Sequence, residues 1–316
     1  MLTKIYIFLL LYLLLGGSVS ARERIDSLMT ELHRTIQNRE IYESQKENRL
    51  KALRLNLYSA HDDNARFGAM GELLDEFRPY NTDSAFAYCK LRENLALKTG
   101  NPEFITNAQL NTANVLGSIG MYKEALDIVD SIPCNTVPEY LLPYYYYIKR
   151  TVASYLLDYS VRDEDKDRYR RINDIYQDSL LYLCTPGSLT YIVNMADKLN
   201  AKGDCRKSIE IVEDYIENNE YTSHDRAICA NILACAYQKL GDIEKQKENL
   251  LISSIADLQS PVREYISLRQ LAVLLFKEGD IYNAHQFLRI AMDDARKCNA
   301  RLRILEINDI FSLVNS

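Results

Sequence analysis

The sequence has no tryptophan, and only 11 glycines and 7 prolines interrupt its 316 residues. So few backbone breakers exclude a chain dense in tight turns and favour helix throughout. No HExxH, no GxSxG, no phosphate-cradling glycine loop and no CxxC pair occurs, which leaves no motif for metalloprotease, serine hydrolase, nucleotide or dithiol chemistry. The four histidines, His33, His61, His224 and His285, are far apart, and a metal or triad site would need the fold to gather them. Positive charge is not in excess either. The formal net charge is −6, and −7 without the first 21 residues, which hold one Lys and no acid, so a phosphate-tracking surface is not indicated. The expectation is a chain with no cofactor, no metal and no direct nucleic-acid contact.

The one long apolar run lies at the start, Ile5 to Leu15 behind Lys4, followed by Gly16-Gly17 and the small residues Ser18-Val19-Ser20-Ala21 before Arg22. A spanning helix needs roughly 20 apolar residues, whereas a short run followed by small residues has the form of a secretory signal peptide. Residues 1–21 are therefore assigned to export, to the periplasm or another extracytoplasmic space; the alternative is an uncleaved N-terminal anchor. Seven cysteines are odd in number and thinly spread, and Cys229 and Cys235, six apart in a predicted helix, face different ways and cannot pair with each other. Packing as small apolar residues is their expected role.

What is present is a repeat. Gly203, Gly241 and Gly279 fall 38 residues apart, Ala196, Ala234 and Ala272 keep the same step, and each glycine sits between two apolar-periodic runs. A fixed period of this size marks a helical solenoid, in which each unit buries its apolar face only against its neighbours. Helix pairs are predicted at 63–78 with 83–99, 103–118 with 122–132, 139–160 with 164–183, 187–201 with 205–218, 223–239 with 242–258, and 261–277 with 280–298, closed by a last helix over 300–314. Residues 22–60 carry apolar positions at three-to-four spacing, interrupted where Arg39, Glu43 and Lys46 would continue the stripe. They predict two helices broken between, with the charges on a solvated face, capping the open first end of the array at 61–316.

The register resembles the tetratricopeptide repeat: Gly120-Met121-Tyr122 with Ala113, Leu116 and Ala125; Gly279-Asp280-Ile281 with Ala272, Leu275 and Ala284; Gly203-Asp204 with Ala196, Leu199 and Ser208. The resemblance implies an all-α, α-α superhelical solenoid of about six helix pairs with capping helices at both ends. A narrower likeness rests on Asp26-Ser27-Leu28, Leu74-Asp75-Glu76-Phe77 with Tyr80 and Asp83-Ser84-Ala85, Ala256-Asp257, Asp294-Ala295 and Asn299-Ala300-Arg301. On these residues the chain resembles the exported repeat region of a family of membrane-linked tetratricopeptide-repeat transcriptional regulators of gut bacteria. Members continue into a membrane-spanning helix, a coiled coil and a cytoplasmic DNA-binding region. The resemblance therefore implies that these residues are the sensing half of a regulatory system, with a protein or peptide partner and a membrane-bound signalling component.

One polar stripe marks a candidate ligand surface. Asn107, Asn111, Asn114 and Ser118 recur at i, i+4, i+7 and i+11, one face of a helix. In the tetratricopeptide register Asn111, Asn194 and Gln270 share the position where peptide-binding members place an Asn against a ligand backbone, a use that suits an amide with both donors and an acceptor. Asp197 stands where a second Asn would be. Asn107, Asn111, Asn114, Asn194 and Gln270 are thus the expected groove residues of a non-catalytic binding module. Tyrosine is abundant, 23 residues, and Tyr144 to Tyr147 must cover every side of a helix. The alternative function is a glycan-binding or glycan-acting α/α-toroid, which the absence of tryptophan weighs against.

Overall fold

A computed structural model describes residues 22–263, 266–299 and 301–314, so the predicted signal segment 1–21 lies outside the described residues. These hold fifteen α-helices and no strand. An N-terminal pair, α1 (22–37) and α2 (Arg39–Ser59), precedes six further pairs. The pairs are α3 (Asp63–Phe77) with α4 (Thr82–Thr99), α5 (Pro102–Ser118) with α6 (Tyr122–Asp130), α7 (Leu142–Tyr159) with α8 (Asp163–Leu183), α9 (Leu189–Lys202) with α10 (Cys205–Asn218), α11 (Ser223–Leu240) with α12 (Ile243–Gln259), and α13 (Ile266–Glu278) with α14 (Ile281–Lys297). Helix α15 (Arg301–Val314) follows. The fold is the all-α superhelical solenoid that the repeat period implies.

The repeated Gly-Asp dipeptide has a mechanical explanation. Gly203, Gly241 and Gly279 have φ of 86°, 76° and 88° and end α9, α11 and α13, a left-handed cap that costs a residue without Cβ nothing. The next residue starts the following helix, and the carboxylates of Asp242 and Asp280 accept from Lys245 N at 3.0 Å and Asn283 N at 3.2 Å. The spaced alanines Ala196, Ala234 and Ala272 are fully buried where paired helices approach. The third pair departs: prolines 133 and 138 hold two short 3₁₀ turns, Cys134–Thr136 and Glu139–Leu141, ahead of α7. In the charged stretch at 162–167, Asp163, Glu164 and Asp165 form the first turn of α8, where the helix dipole favours acids.

The N-terminal pair corrects two expectations. There are two helices, but the break falls at Asn38, just ahead of Arg39, Glu43 and Lys46, which α2 carries without interruption, and only α2 covers the first repeat, through Leu50, Leu53 and Leu57 against Leu73, Leu74 and Phe77. Helix α1 instead packs on the last repeats. Leu32, fully buried, joins one core with Leu251, Ile255, Phe287, Leu288 and Ala291, and Ile25, Leu28, Met29 and Ile36 lie against the same cluster. The charges in α2 form only in part a solvated face: Glu40, Glu47, Arg49, Lys51 and Arg54 are exposed, whereas Arg39, Glu43 and Lys46 are half-buried. Arg39 pairs with buried Asp294, Glu43 accepts from Arg263 at 3.3 Å, and Lys46 meets Glu76 at 2.5 Å.

The array is thereby bent back on itself. Arg263 N donates to the Pro79 carbonyl at 2.8 Å, and its guanidinium donates to the Tyr80 carbonyl at 3.2 Å and lies 3.9 Å over the Tyr80 ring. Thr82 N donates to Cys298 O at 3.2 Å, and Asn299 donates to Asp83 at 3.1 Å. A second closure joins α15 to α7: Glu306 accepts from Arg269 at 2.5 Å, from Arg303 at 2.9 Å and from the Tyr159 hydroxyl. Burial works against the Glu306 charge, yet Arg303, Tyr159 and Arg269 together hold its carboxyl below the ordinary carboxylate value.

Two measurements follow. Leu32→Ala lowers the unfolding free energy by about 3 kcal/mol, and hydrogen exchange rises in α12 and α14 rather than in α3 and α4; the reverse pattern would contradict the docking of α1. Because the Glu306 carboxyl is depressed, its stabilisation is present above 4.5 and is lost as pH falls through its lower folded value. Glu306→Gln is accordingly less stable than the parent at neutral pH, and the two denaturation midpoints converge under more acid conditions.

Candidate functional site

Bending the array brings five segments to one cleft of about 260 Å³. Helix α7 contributes Tyr147, Ile148, Thr151, Val152 and Tyr155 from one face, and α5 contributes Ala113, Asn114, Gly117 and Ser118 from its last two turns. Arg78 and Pro79 from the α3–α4 turn, His224 and Ile228 of α11, and Val262 close the remaining sides. Arg78, Pro79, His224 and Val262 also line a larger adjoining pocket of about 500 Å³, whose far wall is Tyr42, Lys46 and Arg49 of α2. The floor is apolar, and Gly117 lets α5 approach α7 closely, since a Cβ there would lie 3.3 Å from Val152 Cγ2. The rim offers amide, hydroxyl, imidazole and guanidinium groups.

The five groove residues read from the sequence do not act alike. Asn107 accepts from Arg92 at 2.7 Å and from Asn111 at 2.9 Å. Asn111 in turn accepts from the Tyr144 hydroxyl at 3.0 Å, and that hydroxyl accepts from Asn114 at 2.9 Å. The stripe is one hydrogen-bonded ladder joining α4, α5 and α7, and burial pushes the Tyr144 phenol up to about 12. Asn194 accepts from Arg150 at 3.1 Å and donates to Thr190 O at 2.7 Å, while Arg150 also reaches Asp197 at 3.0 Å. Gln270 accepts from Asn231 at 3.3 Å. Asn111 and Asn194 are 8% and 3% exposed, so both amides are committed to neighbouring helices. Among the five, Asn114 is the residue that lines the cleft, with its stripe neighbour Ser118.

The tyrosine run divides as a helix requires. Tyr145 is buried in the second core and Tyr147, 39% exposed, faces the cleft. Tyr147, Thr151 and Tyr155 stand at i, i+4 and i+8, a spacing visible in the sequence and passed over there for the asparagine stripe. No local signal announces Arg78, His224 or Val262, which arrive only when the array closes. Two histidines far from the cleft have packing partners, His33 on Phe287 and His285 on Phe311, each pair 5.6 Å apart. Among the described residues no cluster of His, Cys, Asp or Glu is gathered to hold a metal ion, and no helix is long and apolar enough to cross a membrane. Cys89, Cys134, Cys184, Cys205, Cys229 and Cys235 are free thiols.

What this lining can do chemically is recognition, with an apolar floor for one bulky group and a polar rim for the chain that bears it. The family comparison agrees with the architecture. Residues 36–309 match the family model described as the SusR N-terminal TPR domain. Among solved structures the chain is similar to the TPR2AB-domain:pHSP90 complex of yeast Sti1, at 12% identity and a TM-score of 0.35, over 95% of this chain and 100% of that one. No curated protein matches it.

Replacing the committed amides costs stability. Asn111→Ala leaves the Tyr144 hydroxyl without its acceptor, and Asn194→Ala strips Arg150 of one partner. Each lowers the unfolding free energy by about 1–2 kcal/mol in chemical denaturation, whereas a pair of merely solvated groove residues would change it little.

Proposed function

We propose, on the premise that this chain belongs to the SusR N-terminal TPR domain family, that it is an exported peptide-recognition module serving as the sensor part of a regulatory system. Helical repeats of the tetratricopeptide type generally bind proteins and typically work as non-catalytic scaffolds. The observation that carries the finer reading is the cleft between α5, α7 and α11. Its apolar floor at Ile148, Val152, Ile228 and Val262 suits one large apolar side chain, and Tyr147 and Tyr155 stand beside it. Asn114 spends one amide hydrogen on Tyr144 and keeps a second donor and acceptor capacity for a peptide backbone. The ligand is an extended peptide segment of an extracytoplasmic protein, and a membrane-bound component carries the signal onward. Export itself rests on residues 1–21.

An oligosaccharide is the second reading, and the exposed Tyr147 ring among hydroxyl and amide groups is the feature that favours it. Because the chain has no tryptophan, Tyr147→Trp places a sole indole at the cleft. Titration with extended peptides bearing one bulky apolar side chain should shift its emission saturably, and Asn114→Ala in that background should weaken binding about tenfold. A shift with oligosaccharides and none with peptides would sink the peptide reading.

A further inference from the structure

The cleft and the C-terminal helix share a side chain. Tyr155 lines the cleft, and its hydroxyl accepts from Arg303 of α15 at 3.4 Å. Arg303 and Arg269 both hold Glu306, which also takes the Tyr159 hydroxyl one turn along α7. Tyr122 of α6 stacks on both rings, 5.2 Å from Tyr155 and 6.1 Å from Tyr159. Its hydroxyl is buried and has no hydrogen-bond partner, so nothing polar ties this ring in one orientation. Helix α15 is also anchored by Ile307 and its neighbours Ile304, Ile310 and Phe311 against the last-repeat core.

We infer that α15 is a latch whose hold on α7 reports whether the cleft is filled. A group seated between Thr151 and Tyr155 displaces the Tyr155 ring. The Tyr122 stack transmits that displacement to Tyr159, and the Arg303 and Glu306 contacts loosen together because they belong to one cluster. The apolar anchor of α15 on the last repeats stays, so the helix shifts against α7 without detaching. Two arrangements of a packed cluster, biased from one end, are what couples two sites. This latch builds on the binding reading, yet it can be tested with no ligand.

Thr151→Trp fills the cleft covalently and stands in for an occupant. Backbone hydrogen exchange is read at residues 303–311 in the full chain, with α9 and α10 as the internal control for intact folding. Thr151→Trp is expected to speed exchange in α15 about tenfold with the control unchanged. In a Glu306→Gln background, where exchange is already fast, Thr151→Trp is expected to add nothing. Unchanged α15 exchange in Thr151→Trp, or two effects that simply multiply in the double variant, would overturn the latch. If Thr151→Trp disturbs the control helices, Ser118→Phe fills the same cleft from the α5 wall and is judged by the same two outcomes. A chain that binds no peptide in the fluorescence titration but shows the coupled exchange would fail the function and keep the latch.

Discussion

A stack of helix pairs leaves an apolar face bare at each end, and every other feature of this molecule depends on how those faces are covered. The last pairs are covered by α1, the first helix, which places Leu32 in the core of α12 to α14. The first pair is covered by α2 through Leu50. One hairpin thus serves both ends, and it can do so only if the array curves until its ends meet. Arg263 fastens that meeting point, with its backbone on Pro79, its guanidinium on Tyr80 and Glu43, and a ring beneath it. Charges placed there are expensive to bury. Asp294, fully buried, has its carboxyl raised by that burial, against the pull of Arg39, Lys297 and Arg263.

Closure changes what the interior is. An open superhelix offers a long groove, with repeat positions facing a ligand in series. Here the ends of the array meet, and among the spaces left is a cleft roofed by the α3–α4 turn and Val262. The asparagines that would line an open groove become staples between adjacent helices: Asn111 holds α5 to α7, and Asn194 holds Arg150 of α7 against α9. Between α8 and α9 the apolar core gives way to this polar seam, where Gln177 donates to Asn194 O at 3.0 Å. The first and last halves therefore meet through hydrogen bonds at the seam and through hydrogen bonds and ion pairs at the closure.

The residues that carried the likeness to membrane-linked regulators now have physical work. Tyr80, Asp83, Asp294 and Asn299 lie at the junction of first and last repeats, so the motif is a record of closure more than of ligand contact. This is also why the motif was uninformative about the ligand. Phe77 and Leu74 are core under α2, and neither reaches the cleft.

Local rules were enough for the helices. Period, glycine caps, aspartate starts and buried alanines are interactions within about one repeat, and each leaves its mark within 38 residues of sequence. The same rules placed Tyr147, Thr151 and Tyr155 on one helical face. Which face of which helix would see solvent was decided by contacts between residues more than 180 apart, Arg263 with Tyr80 and Thr82 with Cys298. No periodicity encodes such pairs, because each partner is an ordinary polar or small residue until the chain has curved far enough to bring them together. The sequence by itself determined a solenoid of helix pairs; the tertiary structure decided that it closes, that its asparagines turn inward, and that a cleft remains where Asn114 and Tyr147 meet.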